Sequence, residues 1–165
     1  MDCQQVMAPI KESLYADDPA GTAIDFMVRK HMGLVPVTDR EGKFVGLISG
    51  DRLMHFMLPR TVSAFLGIKR GMKRASFLHE SSEEMQERLD VLRDRPIGDL
   101  VERHAKVCHP DTPLIDALLL IKHKQYVVPV VDHDRTLVGA ISFFSVLYAL
   151  REEYAEKKRT KETEI

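Results

Sequence analysis

The stretch GLVPVTDREGKFVGLIS, Gly33 to Ser49, returns as YVVPVVDHDRTLVGAIS, Tyr126 to Ser142, with Pro36 falling on Pro129 and Gly46 on Gly139, an offset of 93. Val35, Pro36, Val37, Asp39, Val45, Gly46, Ile48 and Ser49 all recur at that offset. Upstream, Asp17, Pro19 and Ala23 fall on Asp111, Pro113 and Ala117, an offset of 94. The second copy is therefore one residue shorter, and the loss is expected between its first helix and the next strand, where a loop tolerates it. A duplicated segment constrains the fold more than composition does, because whatever one copy folds into, the other folds into as well.

Each copy reads as strand, helix, strand, strand, helix. In the second, Thr112 followed by Pro113 is an N-cap with proline at the first helical position, and Asp116 lies in the first turn, where the helix dipole favours an anion. Leu114, Ala117, Leu118 and Ile121 then recur at the three- and four-residue spacing of one buried face, as Ile24, Met27 and Val28 do after Asp18 and Pro19 in the first copy. The runs 34–38 and 44–49, like 127–131 and 137–142, are β-rich and separated by short turns, so each pair predicts a hairpin. Helices over 52–57 and from Ser145 to about Glu153 close the units. A unit of this kind is near the lower limit at which a chain buries enough surface to fold alone. The two copies are thus expected to pack together about a pseudo-twofold axis, leaving two related clefts where strand ends meet helix N-termini. The fold class is α+β: two βαββα repeats at 1–57 and 99–153, a helical insertion at 58–98 and a charged C-terminal tail at 154–165.

Composition removes several function classes. The 165 residues carry 24 Lys and Arg against 25 Asp and Glu, a net charge of −1, so there is no overall basic field to draw nucleic acid. Apolar runs such as Ala117 to Ile121 fall far below the roughly 20 residues that span a bilayer. The opening MDCQQVMAPI lacks the basic and apolar regions of a secretory signal, which predicts a cytoplasmic location. Cys3 and Cys108 form no CxxC pair, so both are expected as reduced thiols, with Cys108 a small buried hydrophobe. His104 and His109 do not share a helical face and have no cysteine or carboxylate cluster beside them, which reads as surface histidine rather than a metal site. Neither Ser49 nor Ser142 sits in a GxSxG elbow, and no enzyme is expected.

Three marks together resemble the CBS-domain family in its tandem form, the Bateman module: the start at Pro110 to Pro113 and Ala16 to Pro19, the hydrophobic-Pro-Val-x-Asp strand, and the VGxIS strand leading into a helix. The resemblance implies a regulatory module that binds an adenosine-containing ligand (AMP, ADP, ATP or S-adenosylmethionine), requires no cofactor, forms a homodimer and controls a separate protein. It also implies the binding residues. Gly33, Leu34, Val35 and Pro36, with Tyr126, Val127, Val128 and Pro129, would line the base pockets. Asp18 and Ala23, with Thr112 and Ala117, match the ligand contact near the first helix, and Ser49 and Ser142 would bind ribose or phosphate. Where the family carries a ribose-binding aspartate three residues after that hydroxyl, this chain has Arg52 and Ser145, with Asp51 one residue early. Arg52 reads either as a phosphate contact at the helix start or as a solvated surface residue. Two functions are carried forward: a stand-alone adenosyl-ligand sensor, and a ligand-free dimerisation or interaction scaffold with degenerate clefts.

Between the copies, Arg60 to Arg74 holds five cations and no anion among apolar residues, the pattern of a basic amphipathic helix. Its apolar face is expected to pack on its own module or on a second subunit, or to meet a membrane surface or partner protein. From Glu80 the charge reverses, and Ser81 with Glu84 has capping-box spacing, which predicts a helix over 82–93. The tail from Arg151 is expected to fray.

Overall fold

The computed structural model describes residues 1–59 and 80–163. The basic stretch of the insertion, and with it the amphipathic helix read there, lies outside the described residues. Two three-stranded sheets form the centre. In the first, β2 (Leu14–Tyr15) runs parallel to β3 (Leu34–Thr38), which pairs antiparallel with β4 (Phe44–Ser49). In the second, β1 (Ala8–Pro9) lies antiparallel to β6 (Leu137–Ser142), which pairs antiparallel with β5 (Val127–Val131). Both hairpins carry their irregularity at equivalent points, between Val37 and Thr38 and between Val130 and Val131. Helices α1 (Ala20–Lys30) and α2 (Gly50–Met57) belong to the first repeat, α4 (Leu114–Lys122) and α5 (Phe143–Thr163) to the second, and α3 (Ser82–Arg93) comes from the insertion. The second repeat's leading strand is reduced to one parallel bridge, Cys108 to Val130, at the place Leu14 and Val37 hold in the first.

The leading segments of the repeats are exchanged. A 3-10 turn at Cys3–Gln5 packs into the second repeat: Cys3 N donates to Thr112 O (2.9 Å), Gln4 N to Pro110 O (2.9 Å), and Leu114 N to Met1 O (3.0 Å). A matching turn at Ile97–Asp99 packs into the first: Ile97 N donates to Asp18 O (2.9 Å), Gly98 N to Ala16 O (2.8 Å), and Ala20 N to Arg95 O (2.7 Å). Ala8 pairs with Ala140, and Glu102 with Leu47, on the outer edge of the other repeat's hairpin. The motif glycines follow from this crossing. A Cβ on Gly46 would lie 2.5 Å from Glu102 O, and one on Gly139 would lie 2.7 Å from Met7 Sδ and 3.0 Å from Ala8 O.

Three apolar clusters record the same arrangement. One joins Val37, Ile48 and Phe26 to Leu92, Ile97 and Leu100, and a second joins Val128, Ile141 and Ala117 to Cys3 and Val6. A third, with Phe44, Leu47 and Val131 at its centre, sits between the sheets. The pseudo-twofold axis passes beside Lys43 and Thr136: Phe44 N donates to Arg135 O (2.9 Å) and Leu137 N to Gly42 O (3.0 Å). Each leading segment is short, but it completes the other half's core, so neither half is whole without the other.

Several sequence expectations are corrected. The missing residue is not in the loop after the helix. His31 (φ 54°) and Lys124 (φ 73°) are equivalent left-handed helix ends, each followed by the same path to its strand, whereas α1 has 11 residues and α4 has 9. The missing residue therefore falls within the helix, whose two ends are held by equivalent backbone bonds in both copies. Met32 N donates to Met27 O and Gln125 N to Leu120 O, the bonds of a Schellman end. Thr112 does not cap α4. Its hydroxyl accepts from His109 N (2.9 Å) and closes the turn before Pro113. The tail does not fray after Glu153 but continues as α5 to Thr163, supported by the Lys157–Glu153 pair one turn apart. The helix at 82–93 is present as predicted, with Ser81 Oγ accepting from Glu84 N.

Candidate functional site

Two clefts open at the strand ends, and the offset that relates the repeats relates them too. Cleft one, about 700 Å³, is floored by Leu34, Leu47, Ser49, Asp51 and Arg52 of the first repeat and walled by the helix-end turn His123, Lys124 and Gln125 of the second. Cleft two, about 450 Å³, is floored by Tyr126, Val127, Ser142, Phe143 and Phe144 and walled by His31, Met32 and Gly33 of the first repeat, with Leu34 also on its lining. Each cleft therefore takes its helix start from one repeat and its left-handed turn from the other.

In cleft one, Ser49 is the N-cap of α2, its Oγ accepting from Arg52 N at 3.0 Å, which leaves its own O–H free to donate. The Arg52 guanidinium reaches Glu102 at 3.5 Å, with both side chains about half exposed. That contact is long and solvated and holds Arg52 weakly. Asp51 shares the lining with Arg52 although it stands one position earlier. Gln125 ties the wall in place, with Nε2 donating to Lys106 O (2.7 Å) and Oε1 accepting from Lys106 N (3.0 Å). In cleft two, Ser142 and Ser145 bond reciprocally: Ser145 Oγ accepts from Ser142 N (3.0 Å), and Ser142 Oγ accepts from Ser145 N (3.3 Å). Ser145 is consumed in that cap and does not line the cleft.

The remaining expected residues lie elsewhere. Val35, Pro36, Val128 and Pro129 are buried along the central strands, and Ala23 and Ala117 face the cores from α1 and α4. Asp18 is held by Arg40 (2.8 Å), which also grips Asp17 and lies over the Tyr15 ring, on the exposed side of the sheet. Thr112 belongs to the turn described above. The structure thus brings together Leu34, Ser49, Asp51 and Arg52 in one cleft and Gly33, Leu34, Tyr126, Val127 and Ser142 in the other. Sequence reading missed the walls, His31 and Met32 and residues 123–125, and it missed Phe143 and Phe144. Applying the repeat offset across the axis, rather than within each copy, would have found the walls.

Cys3 and Cys108, distant in sequence, are buried neighbours in the second core with free thiols. Burial pushes the Cys3 thiol up to about 12, helped by the adjoining Cys108, and burial raises Cys108 as well.

Two repeats exchange their leading segments across a pseudo-twofold axis, with a cleft at each strand end, and so define a tandem-repeat pair. The CBS domain family matches residues 3–59 and 97–152, and the chain belongs to that family. It is 24% identical over 148 residues to the uncharacterized protein MJ1426 of Methanocaldococcus jannaschii, covering 83% of this chain and 84% of that one. Among solved structures it resembles CBSX2 in complex with AMP (22% identity, TM-score 0.65, covering 93% of this chain and 98% of that one), CBSX2 being a CBS-pair protein from Arabidopsis thaliana. It also resembles a putative acetoin utilization protein, AcuB, from Vibrio cholerae (17% identity, TM-score 0.69, 96% of each chain). Among the described residues, no helix is long and apolar enough to cross a membrane.

Proposed function

We propose that this chain is a non-catalytic regulatory CBS pair that senses an adenosine nucleotide in cleft one and passes the change to a partner protein. The observation that carries the reading is the composition of that cleft: the Ser49 hydroxyl at a helix start, carboxylates at Asp51 and Glu102, and cations at Arg52 and Lys124, contributed by both repeats to one cavity. A carboxylate suits ribose hydroxyls, and the two cations suit a phosphate in charge-assisted contact. Binding AMP, as CBSX2 does in its solved complex, fits the same chemistry. Floor and wall come from different repeats, so a ligand bridging them favours one arrangement of the repeats over another, which is what a sensor needs.

The homodimer expected of the family would use the outer face of the second repeat. On the first repeat the equivalent face is already covered. Helix α3 lies across α1 and α2, and Arg93 seats against Gly21 and pairs with Asp25 (3.1 Å). On the second repeat the counterparts, Ile115, Leu118 and Leu119 on α4 with Leu147 and Tyr148 on α5, are solvent-exposed. A contiguous apolar face of that kind is an association surface, and it supports the dimer reading.

A thermal-shift screen with AMP, ADP, ATP, S-adenosylmethionine and NAD tests the sensor. A true ligand at about 100 times its Kd adds roughly 2.7 kcal/mol, a rise in Tm of about 5–10 °C for a chain of this size. Arg52→Ala should cut the rise for phosphorylated ligands. No shift with any of the five compounds would leave the scaffold reading in its place.

A further inference from the structure

The two repeats differ at one matched pair of core positions. The turn at Ile97–Asp99 lays Ile97 into the core of the first repeat, where Leu14 of β2 is also buried. The offset of 94 puts Cys3 where Ile97 stands and Cys108 where Leu14 stands, and both cysteines are buried in the second core. One leading segment therefore joins the other half through aliphatic side chains, and the other through two thiols. Backbone bonds fix both cysteines: Cys3 N donates to Thr112 O, Cys108 N to Pro129 O and Val131 N to Cys108 O, each at 2.9 Å. The two thiols are free and lie within hydrogen-bonding reach of each other.

From this pairing we infer that Cys3 and Cys108 are a reversible redox site, whose disulfide ties the N-terminal segment to the second repeat. That segment is the part of the fold easiest to lift, because it is a chain terminus and its strand β1 is only two residues long. While it is seated, burial keeps both thiols protonated and out of solvent, and a protonated thiol is a poor nucleophile. Lifting the segment exposes them. One cysteine thiolate then attacks a low-molecular-weight disulfide such as oxidised glutathione, forming a mixed disulfide and releasing one glutathione thiolate. The second cysteine thiolate attacks the protein sulfur of that mixed disulfide and releases the other glutathione. The protein gives up two protons and two electrons, and oxidised glutathione becomes two molecules of its reduced form. The loop so closed runs from Cys3 through the whole first repeat to Cys108, which removes much of the freedom of the unfolded chain. The bond also holds the exchanged arrangement in place, because the segment carrying Cys3 is the one that pairs Ala8 with Ala140 in the second sheet.

Incubating the full chain in glutathione buffers from fully reduced to fully oxidised, then blocking free thiols and mapping peptides by mass spectrometry, tests the site. A second arm refolds the chain from urea in the oxidised buffer, so that burial does not limit access. The expected product is a single chain lighter by two hydrogen atoms, with Cys3 linked to Cys108 and a Tm higher by about 5–15 °C. Dithiothreitol should return that Tm to the reduced value, which reads the effect without any substitution. Cys3→Ala and Cys108→Ala should each unfold at the same temperature in reduced and oxidised buffer. Glutathione left on either cysteine without the internal bond, a bond between two chains, a linked product whose Tm does not rise, or thiols still free after oxidative refolding would overturn the inference.

Discussion

Thr38 and Val131 occupy the same place in the two repeats, yet one is a hydroxyl and the other is not. Thr38 is buried, and its Oγ1 has no hydrogen-bond partner among the described residues. An unpaired buried hydroxyl costs stability, and an apolar replacement of the same shape removes that cost. Thr38→Val, which copies the second repeat into the first, should stabilise the chain by about 1 kcal/mol, and chemical denaturation measures it. A loss of stability would mean that the hydroxyl is satisfied. The cysteines make a second residue-scale prediction. Folding holds the Cys3 thiol protonated, with its value pushed up to about 12 chiefly by burial. Its contribution is therefore complete below the ordinary thiol range and is lost as pH rises from 9 towards 12. Stability of wild type should fall over that window more steeply than that of Cys3→Ala, and native Cys3 should resist alkylation at pH 8. Alkylation at the rate of a free thiol would contradict its placement.

At the scale of elements, the hairpins and most helix bounds were legible because their signals are local. Alternating β-branched residues, turns at Asp39 and Asp132, and the Ser81–Glu84 cap each act within a few residues. The exchange of leading segments was not legible, because it consists of backbone bonds between Cys3 and Thr112 or between Ile97 and Asp18, which no side-chain pattern announces. Its trace in the sequence is the glycine that both VGxIS strands share, Gly46 and Gly139, whose reason shows only once the opposing segment is in place. Gly46→Ala forces a Cβ against the Glu102 carbonyl and should destabilise by about 1–3 kcal/mol. Gly33→Ala, with nothing within 4 Å of its added Cβ, should be close to neutral. Equal effects in thermal unfolding would remove the crossing as the reason for the glycine. The cleft floors were half legible for the same cause: Ser49 and Ser142 sit in the motif, whereas the walls come from across the axis.

At the scale of the whole molecule, the insertion breaks the symmetry that the duplication set up. Helix α3 occupies the outer face of the first repeat, whereas among the described residues the apolar side chains on the outer face of the second are solvent-exposed. Association through the second repeat alone gives a closed two-fold dimer in which each copy contributes the same apolar patch. Light scattering should give twice the chain mass for wild type, and Leu147→Asp, which places a charge on that patch in both copies, should give the monomer. Wild type at the monomer mass would contradict the dimer. The same asymmetry extends to the clefts, one charged and one aromatic, so the two halves differ most where a ligand or a partner would touch them.

The claim on which the functional account depends is that cleft one, built from both repeats, receives the nucleotide. Titrating the isotopically labelled full chain with AMP and following backbone amide resonances tests it most directly. Saturable shifts should appear on both sides of the cleft, at Ser49, Asp51 and Arg52 and at Lys124 and Gln125. Shifts confined to one repeat, or spectra unchanged at millimolar AMP, would contradict it.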